Sequence, residues 1–592
     1  MQNTQSIITL FIRLWKHFKA RRRWQFIILL VLMALSSFSE ILSIGAVLPF
    51  LAVLTDPKVV FEHPVAQPFI HMMGASAADQ LLLPLTVAFG FAALLAGAMR
   101  LLLLWASTKL SFAAGADISN SIYERTLYQP YAIHVARNSS EVISGISNKA
   151  HMVIYGVIVP VLTLLSASFM LVTILIAIFY VEPIIAILAF GGFGSIYAII
   201  IWLTRKRLLM DSQCISRESV NVIKSLQEGL GGIRDVLIDG SQATYCKIYR
   251  TADQSLRRAQ GSNLFVSQSP RYLMEALGML LIAVLAYTLA DSVDGVTKAI
   301  PVLGALALGA QRLLPVLQQA YSAIVNIRGG QAPLQDTLEL LDQPLPDYIS
   351  LPTAKPLPFQ KSISFNNVSF RYNNDTPWIL DSLGLTIAKG ARVGIIGTTG
   401  SGKSTLIDIV MGLLLPDSGQ LLVDGEPVTS ANSRSWQAHV AHVPQAIFLA
   451  DSTVGENIAF GVPKDEIDFQ RVRQAAMQAQ ISEFIESLPE GYQTSVGERG
   501  VRLSGGQRQR IGIARALYKQ SDVIIFDEAT SALDSETEEA VMDAIERLSQ
   551  NLTILIVAHR LTTLKNCNQI VQLDNGRIKK IGTYKEVVSM SI

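Results

Sequence analysis

Apolar positions in the first half of this chain come in long blocks, not in alternation. A helix crossing a bilayer core takes about 20 apolar residues. Six stretches meet that length: Trp24–Leu54, Leu81–Ala106, His151–Val181, Pro183–Leu203, Tyr272–Ala290 and Val296–Val325. The first is too long for a signal-peptide core, and no small-residue cleavage site follows it, so it reads as a retained span. The polar intervals Ser107–Lys149 and Thr204–Arg271 hold few helix breakers and read as helix continuing beyond the membrane. The basic, amphipathic segment 1–23 is expected to lie along the membrane surface. The spans and their extensions then make up residues 24–327. A join follows over 328–358, where "DQPLPDYISLPTAKPLPF" is proline-rich and reads as an extended linker. From 359 to 592 the charges are denser, and short β-branched runs lead into helices.

Charge adds orientation. Arg13, Lys16, Lys19, Arg21, Arg22 and Arg23 precede the first span, and Lys58 is the sole lysine or arginine between spans one and two. Ten lysines and arginines, from Arg205 to Arg258, lie between spans four and five. Positive loops face the cytosol, so both termini and the soluble part are expected there, with the protein multi-pass in the plasma (inner) membrane. Composition agrees: the chain is 50% hydrophobic and only 16% charged, against about 25% charged in soluble proteins. A net charge of +2 gives no sign of a nucleic-acid partner. Cys214, Cys246 and Cys567 are too scattered for a disulfide framework or a metal site.

The chemistry is concentrated in the last third. "ARVGIIGTTGSGKSTLIDIV" places a β-branched run, a glycine turn and a helix in succession. That is the context a P-loop requires, with backbone N–H groups and a helix N-terminus around phosphate oxygens. Gly397, Thr398, Thr399, Gly400, Ser401, Gly402, Lys403, Ser404 and Thr405 form the cradle. Lys403 is expected at the β and γ phosphates and Ser404 on Mg²⁺. In "DVIIFDEATSALD" a buried strand ends at Asp527, an acid suited to hold Mg²⁺ at the P-loop, and Glu528 follows as general base for the attacking water. "LSGGQRQRIGIARAL" adds a second anion-binding turn, Ser504, Gly505, Gly506 and Gln507, which one nucleotide on one subunit does not need.

This last tract resembles the signature of ATP-binding cassette proteins, and the six spans match the exporter branch. The resemblance covers essentially the whole chain. It implies a multidomain membrane protein: a six-helix transmembrane domain of the ABC exporter type, followed by an α/β P-loop nucleotide-binding domain. It further implies ATP and Mg²⁺, with Tyr372 stacking on adenine, Gln445 touching Mg²⁺ or water, "TSVGERG" contacting the membrane helices, Asp534 at a cross-dimer contact and His559 sensing the γ-phosphate. Signature residues in this family contact ATP held by the partner. One cassette and six spans make a half-transporter, and the intact motifs suit a homodimer. "YQPYAIHVARNSS" and "SVNVIKSLQEGLGGIRDVL" occupy the positions of the family's two coupling helices, with Gly229, Gly231 and Gly232 permitting a bend.

Three arginines lie within or at the ends of apolar runs: Arg100, Arg271 and Arg312. Buried charge in a bilayer costs about 2.5–3.5 kcal/mol, so each faces a partner or a wet cavity. Glu275 stands one turn from Arg271, snorkelling or pairing with Glu40 in span one would serve Arg312, and length along the helices puts Arg100 near the inner interface, where a charge costs little. The alternative is that the three line a substrate path and hold phosphate or pyrophosphate. "SSFSEILSIGAVLPFLAVLTDP" and "SPRYLMEALG" resemble the lipid-linked oligosaccharide flippases, which implies an amphipathic lipid-linked glycan as cargo in the bilayer. Export of lipid A or another lipid, a drug or a peptide, and a gated channel, are the other readings.

Overall fold

Long apolar blocks become long helices. The computed structural model describes residues 5–55, 61, 78–181, 183–290, 313–346, 349, 356–528, 535–546, 551–558 and 561–588. They divide into two units, one of 1–129 and 137–345, the other of 130–136 and 346–592.

In the first unit a short helix, Ile7–His17, precedes Ala20–Thr55, Leu82–Leu127, Pro183–Gly231 and Gln242–Ala290. The last two have 49 residues each, about 70 Å at 1.5 Å per residue. That is more than twice a bilayer core of about 30 Å, as the polar extensions predicted. By length and apolar composition, Ala20–Ser43, Leu82–Leu127 and Ser139–Ile176 can each cross a membrane. The fourth and fifth predicted spans fall within Pro183–Gly231 and Gln242–Ala290. The sixth is described only from residue 313, where the chain is helical to 329.

Three expectations need correction. Within the interfacial segment 1–23 the first helix covers only Ile7–His17, because the chain breaks at the extended Phe18 (φ −73°, ψ 132°) and the first long helix already begins at Ala20. The join 328–358 is not extended throughout: Gln331–Leu341 is a helix. Its Leu334, Leu338 and Leu341 recur at i, i+4, i+7 and are buried with Leu10, Leu14, Leu110 and Ile118, so it belongs to the membrane unit. The bend allowed by the glycines of the second coupling stretch falls at Gly232, where the helix Pro183–Gly231 has ended and the short helix Ile233–Ile238 begins. Finally, the segment leading into the third span is not plain α-helix. It contains a π turn, Gly145–Lys149, and the span itself contains another, Ile154–Ile158.

Pro270 lies inside Gln242–Ala290. It has no N–H to give the Val266 carbonyl. The Tyr321 hydroxyl donates to that oxygen instead, at 2.7 Å, and the Gln318 side-chain amide donates to the Ser267 carbonyl at 2.9 Å. The segment 313–329 thus repairs the ladder that proline breaks. Nearby, Gly330 approaches the second π turn so closely that a Cβ there would lie 3.0 Å from the Gly156 carbonyl oxygen.

The second unit has two sheets. One is antiparallel, in the order β2–β1–β4–β5, and the other has six strands in the order β10–β9–β3–β8–β7–β6. Strands β1 and β2 are Ser362–Phe370 and Leu380–Ala388, β4 and β5 are Ser418–Val423 and Glu426–Pro427, and β9 and β10 are Gln569–Asp574 and Arg577–Gly582. Strands β3 (Arg392–Gly397), β8 (Thr553–Val557), β7 (Val523–Asp527) and β6 (Val440–Val443) run parallel to one another. Strands β7 and β8 are buried along nearly their whole length, as parallel strands covered on both faces must be. Carboxyl ends of parallel strands are where α/β domains place ligands.

Candidate functional site

β3 ends at Gly397, and the chain turns through Thr398–Gly402 into the helix Lys403–Val410. Gly400 and Gly402 have φ of +82° and +99°, a region that favours glycine. At Gly397 a Cβ would lie 2.5 Å from the Leu573 carbonyl oxygen, so only glycine lets the strand and turn meet there. The Lys403 ammonium donates to the carbonyls of Gly397 and Thr398 at 2.8 and 3.0 Å, folded over the turn it serves. Ser404 is exposed, whereas Ser401 and Thr405 are buried. The buried Ser401 hydroxyl makes no hydrogen bond among the described residues. Glycines at positive φ, an ammonium over the turn and a helix N-terminus beyond it fit a polyphosphate.

Opposite the turn, β7 ends at Asp527, which pairs in register with Val557 of β8. Glu528 follows at φ 51° and is pinned by its N–H to the Val557 carbonyl at 3.0 Å. The Gln445 amide, just past β6, donates to the Glu528 carboxylate at 2.8 Å. Parallel pairing of β6 with β7 brings together residues 83 positions apart. Burial raises the Asp527 carboxyl above its ordinary range, Glu528 adds to this, and the Lys403 charge opposes it. A fourth acid was missed in the sequence. Asp408, one turn beyond Ser404, is half-buried and pushed up to about 6, by burial and then by the Asp527 charge. Its signal was the i, i+4 spacing from Ser404. No group of three metal-type side chains occurs among the described residues. A cation held by one hydroxyl, one carboxylate and ligand phosphates needs no such group.

Tyr372 is 45% exposed. Its hydroxyl lies 3.4 Å from that of Thr405, and Phe370 props its ring edge-on, with centroids 5.2 Å apart. It therefore presents an aromatic face beside the P-loop helix. Ser504 caps the helix Gly505–Tyr518 in a reciprocal box: Gln507 N–H donates to the Ser504 hydroxyl at 3.2 Å, and Ser504 N–H to the Gln507 side chain at 2.8 Å. Gly505 and Gly506 open that helix. His559 and Asp534 lie outside the described residues.

In the membrane unit, Arg100 forms an ion pair with Glu40, whose side chain is only 3% exposed. The acid supposed for Arg312 thus meets Arg100 as well, and Arg312 lies outside the described residues. Arg271 pairs with Glu275 at 2.8 Å, as its spacing predicted. Arg271 also lines a cavity of about 420 Å³ together with Tyr155, Gln268, Gln318, Ser322 and Asn326. Tyr155 comes from the second π turn.

Comparison with known proteins agrees with this architecture. Residues 24–295 match the ABC transporter transmembrane region and 380–531 the ABC transporter domain. An ATP-dependent lipid A-core flippase of Cupriavidus pinatubonensis is 30% identical over 479 residues, 79% of each chain. The alpha-hemolysin translocation ATP-binding protein HlyB of Escherichia coli O157:H7 is 44% identical over 230 residues, 39% of this chain and 32% of that one. The solved structure of a bacterial Atm1-family ABC exporter with ATP bound superposes with a TM-score of 0.75 at 24% identity, covering 93% of this chain and 96% of that one. With a multi-pass membrane region ahead of a P-loop cassette, the chain belongs to the ABC transporters and is an ATPase-driven translocase of the exporter fold.

Proposed function

We propose that two copies of this chain flip an amphipathic, phosphate-bearing lipid-linked glycan across the bacterial inner membrane by alternating access, with ATP bound between paired cassettes. The observation that carries the cargo reading is the Arg271 cavity. Its amide and hydroxyl lining suits a glycan, and the guanidinium N–H groups not engaged by Glu275 suit phosphate. The lipid named for the Cupriavidus relative supports a lipid cargo. Arg100 and Arg312 are proposed as further positions on the path. The distribution of lysine and arginine supports cytosolic termini and cassette.

In this reading Tyr372 stacks on adenine, and the N–H groups from Thr398 to Thr405 and Lys403 hold the phosphates. Ser404, Gln445 and Asp527 hold Mg²⁺, which supplies charge neutralisation during phosphoryl transfer. Glu528, steadied by Gln445, takes the proton of the attacking water. His559 is assigned to the γ-phosphate and Asp534 to the dimer contact by resemblance alone. Ser504, Gly505, Gly506 and Gln507 serve the nucleotide of the second copy, because the cassette already has one complete phosphate cradle.

The test is flipping of a labelled polyprenyl-pyrophosphate glycan in proteoliposomes. Arg271→Ala lowers flipping about tenfold or more, the loss of a charged hydrogen bond, while basal ATPase stays near wild type. Flipping at the wild-type rate by this variant removes the cargo reading and leaves the ATPase assignment standing.

A further inference from the structure

A second cavity of the membrane unit, of about 690 Å³, lies against the start of the helix Ile7–His17. Arg205, Lys206 and Arg328 line it, and no aspartate or glutamate does. Several cations elsewhere in this unit meet acids, among them Arg13 with Asp342, Arg22 with Asp117, Arg100 with Glu40 and Lys149 with Asp336, while others such as Arg125 and Arg207 bond to a carbonyl or a hydroxyl. Among the described residues, the three cavity cations form no ion pair. Arg205 rests only over the Trp202 ring, 5.9 Å from its centroid.

The rest of the lining is largely apolar, with Ile8, Phe11 and Leu164 among its residues. Ile8 also begins an exposed stripe, Ile8, Ile12 and Trp15, along the outer side of the helix. The helix therefore has two apolar faces. Leu10 and Leu14 enter the protein core, and the other stripe continues from the cavity wall to the surface. An aliphatic and aromatic stripe on such a helix lies in the acyl boundary of a bilayer. Three cations beside a wall continuous with that stripe match one molecule: a phosphate at the cations with its chain along the stripe.

We infer that this cavity binds one anionic phospholipid of the surrounding bilayer, headgroup on Arg205, Lys206 and Arg328 and acyl chain along Ile8 and Phe11. The chemistry is that of a phosphodiester with a fatty tail. The site is separate from the Arg271 cavity and does not depend on the cargo assigned there. The volume falls within the range of ligand pockets, about 300–1,000 Å³.

The full-length protein, reconstituted in nanodiscs of phosphatidylcholine with graded phosphatidylglycerol and released for native mass spectrometry, reads the retained lipid directly. Phosphatidylglycerol is expected to be retained over phosphatidylcholine by at least about tenfold, since each cation near a bilayer surface contributes about fivefold. Arg205→Gln with Lys206→Gln weakens retention by about thirtyfold on the same scale. The charge-preserving pair Arg205→Lys with Lys206→Arg keeps it, and so does Arg271→Gln. Equal retention of the two lipids, undiminished retention by the double glutamine variant, or loss in Arg271→Gln overturns the inference. So does displacement by millimolar glycerol phosphate, which shows that a soluble phosphate suffices without a tail.

Discussion

Glu528 is held by three neighbours at once: its own strand, the β8 carbonyl of Val557 and the Gln445 amide. Left-handed φ costs a non-glycine residue about 1–3 kcal/mol and persists where surroundings over-determine it, most often at functional sites. Glu528→Gln keeps the shape and removes the proposed base. ATP binding, read by nucleotide fluorescence, is expected to persist while turnover falls about a hundredfold or more; ordinary turnover removes the base assignment. At this scale the P-loop and the acids at the end of β7 were legible in the sequence. Each depends on a local pattern of strand, turn and helix that leaves a mark in consecutive residues. The pairing of Arg100 with Glu40 was not legible. Which intramembrane acid meets which arginine depends on how two helices align along their length, and no spacing within one helix records it. Asp408 was missed for a related reason, since its spacing from Ser404 is local but the nearness of Asp527 depends on where β7 sits in the sheet.

Elements carry their own predictions. Asp342 receives Arg13 and His17 from the first helix. Burial acts to raise its carboxyl, but the hydrogen bonds from Arg13 and His17 prevail and hold it below the ordinary range. A lowered carboxyl contributes stability above its unfolded value of about 4. That contribution is lost as pH falls through the still lower folded value. Asp342→Asn is therefore expected to reduce amide protection over Ile7–His17 two- to fivefold at pH 7, as for an exposed pair worth about 0.5–1 kcal/mol. The difference from wild type should close as exchange is measured toward pH 3; a gap that widens on acidification refutes the linkage. Tyr321→Phe leaves the Val266 carbonyl buried without its donor, at a cost of about 1–3 kcal/mol. A lower thermal midpoint in detergent is the expected reading, and an unchanged one shows that the Pro270 break is met some other way. The long helices were legible because apolar length and absent breakers are local. The π turns and the helix Gln331–Leu341 were harder. A π turn adds one residue without changing composition, and the leucine period of Gln331–Leu341 sits beside prolines that dominate the reading of the join.

At the scale of the whole molecule, a signature turn on a cassette that already has one phosphate cradle points to a second copy. A strictly monomeric preparation in small nanodiscs is expected to hydrolyse ATP at least about tenfold more slowly than the dimer, because transition-state contacts from the partner are missing. Equal rates per chain refute pairing. The repair at Pro270 has its own consequence here. A proline normally gives a helix a free joint, but this joint is fastened by a hydroxyl on the last membrane helix, the one whose chain continues toward the cassette. A pull on one rod at that point is handed to the other through a phenol and the side-chain amide one turn before it.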